Sequence, residues 1–118
     1  EAFERLKRAV RQRDNAKSLQ IKVEFYQIIF DGSQSSVCRN LVQSLVSRIG
    51  ALRQLSLTLP GRDKVMIEEI GRVVAAARQR DAAAMKAASI AHGKSALDAV
   101  ILQLAEDDNT EKGATRAQ

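Results

Sequence analysis

Six aliphatic residues, Val37, Leu41, Leu45, Ile49, Leu52 and Leu55, follow one another at steps of four, four, four, three and three. That is the period of one face of a helix. Val42 and Val46 widen the stripe, and Pro60-Gly61 ends it. The pattern predicts a helix over 35–58, and a helix with a single apolar face must bury that face against other elements. The rest of the chain therefore has to supply partners of matching kind.

It supplies more helices. Phe3, Leu6 and Val10 lie at helical spacing among Arg and Lys, which predicts a helix over 2–16 with a narrow apolar stripe. Residues 18–31 fit two periods. Leu19, Ile21, Val23 and Phe25 alternate with polar residues as in a half-buried strand, while Ile21, Phe25, Ile28 and Ile29 fit a helix that Ser18 could cap. Helix is preferred because no other segment reads as a partner strand, and a lone strand leaves its backbone unpaired. Asp31-Gly32-Ser33 breaks the pattern, with Gly32 suited to the left-handed position after a helix end and Ser33, Ser35 and Ser36 available as caps. Met66, Ile70, Val73, Val74 and Ala77 define a helix over 63–80 that Asp63 could cap. Met85, Ala88, His92, Ala96, Ala99 and Val100 define one over 81–105 that Asp81 could cap.

The expected fold is all-α, an antiparallel helical bundle of about five helices joined by short connections. Residues 1–105 form the domain and 106–118 a polar, flexible tail. Composition agrees: one Pro and six Gly are too few turn residues for a many-stranded sandwich. Aromatics make up 3%, which argues against modules that stack bases on several rings. The net charge of +5 is not evenly spread: residues 1–17 carry six basic and three acidic groups, and residues 106–118 are net acidic. Such alternation of signs reads first as a solvated helix face rather than a nucleic-acid footprint. No stretch approaches the roughly 18 apolar residues of a membrane span, and no leader is visible. Cys38 is the single cysteine; it reads as a small core hydrophobe in a reducing compartment, and a cytoplasmic location is expected.

Chemistry is sparse. The chain holds one His and one Cys, whereas a zinc or iron site wants three or four converging ligands. There is no phosphate loop, no glycine-rich dinucleotide turn and no nucleophile paired with a base. The chain is expected not to be an enzyme and to carry no cofactor. His92 on an apolar helix face reads as a hydrogen-bonded core residue or as a ligand. Lys22 and Tyr26, at i and i+4, share a helix face. Lys22 could snorkel to water or present its ammonium to a carboxylate.

The run Phe25-Tyr26-Gln27-Ile28-Ile29-Phe30-Asp31-Gly32-Ser33, the segment Arg48-Ile49-Gly50-Ala51-Leu52-Arg53 and the stretch from Glu69 to His92 together resemble the C-terminal ligand-binding (FCD) domain of GntR-family transcriptional regulators of the FadR-like branch. The resemblance spans about 2–104 and rests on combined order and spacing. In particular Asp81 opens a helix and His92 follows it by eleven residues.

The resemblance implies an antiparallel helical bundle with a central cavity for a small effector, often an organic acid. Many members hold a divalent metal there through one Asp and three His. Carried over place by place, Lys22 stands at the Asp, Tyr26 at the first His, Ile70 at the second, and His92 keeps the third. A lysine where a cation should meet a carboxylate repels it, so no metal is expected. Lys22, Tyr26 and His92 are the candidate ligand-binding residues. Lys22 would replace the metal's charge and pair with an effector carboxylate; a degenerate pocket with satisfied polar groups remains the competing reading.

The resemblance further implies a homodimer that reaches DNA only through an N-terminal winged helix-turn-helix. That part, and the first bundle helix of the family, are expected to lie outside this chain. The expected function is an effector-binding and oligomerisation domain of a bacterial regulator. The alternative is a helical dimerisation or interaction module with no small ligand, which exposed Val42 and Val46 would favour.

Overall fold

The computed structural model describes the backbone of residues 1–116 and the side chains of residues 1–109. Six helices account for the described chain: α1 Ala2–Arg11, α2 Asn15–Gly32, α3 Ser36–Arg48, α4 Gly50–Thr58, α5 Arg62–Arg78 and α6 Ala82–Arg116. There is no strand among the described residues, so the alternation at 19–25 is carried by a helix.

Two of the reversals are built alike. The tetrapeptide Arg-Gln-Arg-Asp occurs at 11–14 and again at 78–81. In each copy the second Arg is left-handed, Arg13 and Arg80 both at φ 55°. In each, the Asp N–H returns to a carbonyl five residues back, Asp14 to Ala9 at 3.1 Å and Asp81 to Ala76 at 3.0 Å. These are the bonds that close a helix C-terminus when one residue turns left-handed. The same Asp then opens the next helix: Asp14 Oδ1 accepts from the Lys17 N–H, and Asp81 Oδ1 from the Ala84 N–H, both at 2.9 Å. The first turn thus falls at 12–14, not after 16, and Asp14 rather than Ser18 caps α2. Ser18 is buried, its hydroxyl donating to the Asp14 carbonyl.

Other boundaries also differ from the sequence expectation. Gln34, not Gly32, takes the left-handed conformation after α2, and Ser35 caps α3 through the Cys38 N–H. The helix expected over 35–58 bends at Ile49 into α3 and α4. The Ile49 N–H still reaches the Leu45 carbonyl and its own carbonyl accepts from Arg53, so the bend is a kink rather than a loop. Gly50, a poor helix former, begins the second half. Before α5, Pro60 holds Leu59 extended. Gly61 turns left-handed at φ 74°, a conformation that costs side-chain-bearing residues; it precedes α5, and Asp63 lies inside the helix. α6 continues to Arg116, past the boundary expected at 105. The side chains of the expected tail from 110 onward lie outside the described residues.

The core joins Leu6 and Ala9 of α1, Ile21 and Phe25 of α2, Leu57 of α4, and Met66, Ile70 and Val73 of α5. Met85 and Ala88 of α6 pack against it from the edge, and Val100 is buried further along that helix. Ala76 rather than Ala77 is the buried alanine of α5. Gly71 lets α1 approach, since a Cβ there would sit 3.3 Å from the Phe3 ring. α4 packs against α2, α5 and α6, whereas α3 meets only its sequence neighbours α2 and α4. α3 buries no residue. Cys38 is consequently exposed, not a core residue.

Candidate functional site

The kink between α3 and α4 shapes the site. It directs α4 under the bundle while α3 stays outside, and a cavity of about 300 Å³ opens between α2, α3, α4 and α6. α2 supplies Lys22, Tyr26 and Phe30 to its lining. α3 supplies Val42 and Val46, α4 supplies Leu52 and Arg53, and α6 supplies His92 with Leu97 and Val100. The three residues singled out in the sequence, Lys22, Tyr26 and His92, thus line one cavity. Ile70 does not; it is 1% exposed in the core. Val42 and Val46 are half-buried against the cavity.

Lys22 is buried and makes no hydrogen bond or ion pair with the described residues. Desolvation lowers its ammonium from the ordinary 10.5 to about 8, repulsion from Arg53 and Arg62 pushes the same way, and Glu69 opposes them. Tyr26 stacks on Phe30 at 6.4 Å between ring centres and meets Phe25 edge-on. Burial pushes its phenol up. The Arg53 guanidinium lies 5.9 Å from the centre of the Tyr26 ring. Its Nη2 is buried and has no hydrogen-bond partner among the described residues.

His92 belongs to a second polar group, which the sequence reading missed. Glu69 Oε2 accepts from Arg62 Nη2 at 2.9 Å and from His92 Nδ1 at 2.7 Å. All three side chains are buried. Burial alone would raise the Glu69 carboxyl, but hydrogen bonds with Ser95, His92 and Arg62 more than offset it and hold it ionised. Desolvation leads the downward shift of His92, against the pull of Glu69. A neutral ring that donates Nδ1–H to a carboxylate keeps an unprotonated Nε2, an acceptor. Glu69 could have been flagged from sequence: it falls three residues after Met66, inside the apolar stripe of its helix. A carboxylate on a buried face needs partners.

The charge balance of the cavity follows. The nearby carboxylate is engaged by Arg62 and His92, so Lys22 and Arg53 face the cavity as cations without an anionic partner among the described residues. No acidic side chain among the described residues lines it. These residues do not fit a divalent metal. An ammonium, a phenol and one imidazole stand at the lining, and no group of three His, Cys, Asp or Glu among the described residues is placed to hold an ion. No helix among the described residues is long and apolar enough to cross a membrane.

The family model of the FCD domain matches residues 1–95. No curated protein and no solved structure gives a significant match.

Proposed function

Because the chain belongs to the FCD domain family over residues 1–95, we propose that it is the effector-binding domain of a bacterial GntR-type transcription regulator, and that its cavity takes a small organic acid without a metal. The observation that carries this reading is Lys22. A buried ammonium with no partner is costly to keep, and a carboxylate in the cavity supplies the missing charge. Beside it the Tyr26 hydroxyl can donate a hydrogen bond to the carboxylate, while His92 Nε2 can accept one from a donor elsewhere on the effector. The effector would act by linkage: it binds one arrangement of the helices better and so shifts the placement of attached DNA-binding domains.

A thermal-shift screen with small organic acids and with Zn²⁺, Ni²⁺ and Mn²⁺ tests the reading, since binding to the native state raises the melting temperature. The expected result is a rise with acids, abolished by Lys22→Ala, and none with metals. A rise with metal alone overturns it.

A second reading has its own observation. Val37, Leu41 and Leu45 of α3 are 68%, 61% and 58% exposed, although their spacing is that of a buried face. An apolar face left open in one copy supports pairing of the domain with itself, as a homodimer. The two readings are compatible, and self-pairing without any small ligand is the alternative function.

A further inference from the structure

The cavity is lined mostly by apolar side chains and gathers its cations at one place. Its cations are gathered around one ring: Lys22 lies one helical turn before Tyr26, and Arg53 sits over the Tyr26 face. The influence of Arg53 on the Lys22 ammonium places the two charges in one neighbourhood. The apolar part of the lining comprises Phe30, Val42, Val46, Leu52, Leu97 and Val100. Besides Tyr26 and His92, Ser56 is the uncharged polar side chain in the lining.

We propose that the cavity selects monocarboxylates with a hydrocarbon body, their carboxylate held by Arg53 together with Lys22 and their body packed on the aliphatic wall. This rests on the reading of the chain as an acid-binding domain and narrows it. Arg53 carries the argument because its guanidinium, unlike that of Arg62, has no carboxylate among the described residues. The planar fork of an arginine matches a carboxylate through two parallel hydrogen bonds, and its Nη2 is buried with no partner to release first. A second anionic group would find no further cation among the described residues of the lining, and several hydroxyls would outnumber Tyr26, Ser56 and His92, the remaining polar side chains there. Each stranded hydroxyl costs about tenfold or more in affinity.

The test uses the 118-residue chain and calorimetric titration with two sets of probes. Hexanoate and 3-phenylpropanoate are expected to bind at least about tenfold more tightly than succinate, citrate or gluconate. If succinate, citrate or gluconate binds equally well or better, the hydrocarbon-body assignment is overturned while the acid-binding reading stands. If no acid of either set binds, the acid-binding reading itself falls.

Hexanamide, which keeps the body and removes the charge, separates the role of Arg53 from one in folding. Arg53→Gln is expected to weaken hexanoate by about tenfold or more and to leave hexanamide nearly unchanged. An equal loss for both probes, or no loss for hexanoate, overturns the carboxylate role. Arg53 is half-exposed, so the variant should fold. Arg53→Lys, which keeps the charge but loses the fork, is expected to fall between wild type and Arg53→Gln.

Discussion

Lys22 is destabilising where it stands, and that can be measured. Its ammonium titrates near pH 8 in the folded chain against an ordinary 10.5. The folded state therefore disfavours the proton. The full cost, about 3 kcal/mol, applies below pH 8 and is relieved as pH rises from there to 10.5, where the unfolded chain still binds the proton. Tyr26 of its own helix, Arg53 of α4, Arg62 and Glu69 of α5 and His92 of α6 are the groups around it. Lys22→Met is expected to stabilise the ligand-free domain by about 1–3 kcal/mol at pH 7 and to abolish carboxylate binding. Chemical denaturation of both proteins from pH 7 to 10.5 checks it: the stability gap should close toward the alkaline end, and a gap independent of pH would sink the explanation. Glu69 is the opposite case, since it stabilises. Its removal strands the buried Arg62 guanidinium, two of whose nitrogens already lack partners among the described residues. Glu69→Ala is expected to cost about 3–5 kcal/mol in urea unfolding; a loss below about 1 kcal/mol, the range of an exposed pair, would show that Arg62 finds water instead.

Among the elements, the repeated Arg-Gln-Arg-Asp turn offers a controlled comparison. The same four residues close one helix and cap the next at two places, α1 to α2 and α5 to α6. Asp14→Ala and Asp81→Ala should each cost about 1 kcal/mol, the usual worth of an N-cap. The turns share no partner, so the double variant should show the sum to within about 0.5 kcal/mol. Thermal or urea unfolding of the three variants decides this, and a negligible loss at either site would mean that the turn is held by packing alone. These turns also show what was legible. Helix type followed from periodicity, because buried faces must repeat every three or four residues, and the inward face of α6 from Met85 through His92 to Val100 was readable in that way. The kink at Ile49 was not. Val37 to Leu55 keep their spacing across it, and only Gly50 marks a weak point. That kink swings Arg53 to the cavity and leaves α3 outside, so Arg53 was missed and Cys38 misplaced for one and the same reason. Lys22, Tyr26 and His92 were legible because the family resemblance gave their places, and two of them share an unbroken helix.

At the scale of the molecule, the chain is longer than its size requires. Its radius of gyration is 16.4 Å and its extents are 58 × 31 × 24 Å, whereas a compact chain of this length has a radius of about 13–14 Å. The excess comes from α6, whose 35 residues span about 52 Å as helix, and from α3 at the side. Both present apolar side chains outward: Val37, Leu41 and Leu45 on α3, and Ile90, Leu97, Ile101 and Leu104 on α6. Contiguous apolar surface of this kind marks an interaction face. On α3 the stripe runs on through Ile49 and Leu52, which also line the cavity, so whatever covers the stripe also covers the cavity mouth. Self-pairing through α3 and α4 would then couple to effector binding by reciprocity: a ligand that strengthens the pair must itself bind the pair more tightly. Sedimentation velocity over a range of concentrations is the measurement. The wild-type chain is expected to pass from monomer to dimer as concentration rises. Leu41→Glu combined with Leu45→Glu should keep it monomeric with little loss of folding stability, because both positions are solvent-exposed in a single copy. A wild type that stays monomeric, or a double variant that dimerises equally well, would remove α3 from the interface. In the second case the α6 residues Leu97 and Ile101 become the face to change, and since Leu97 also lines the cavity the coupling to effector binding would run through α6 instead.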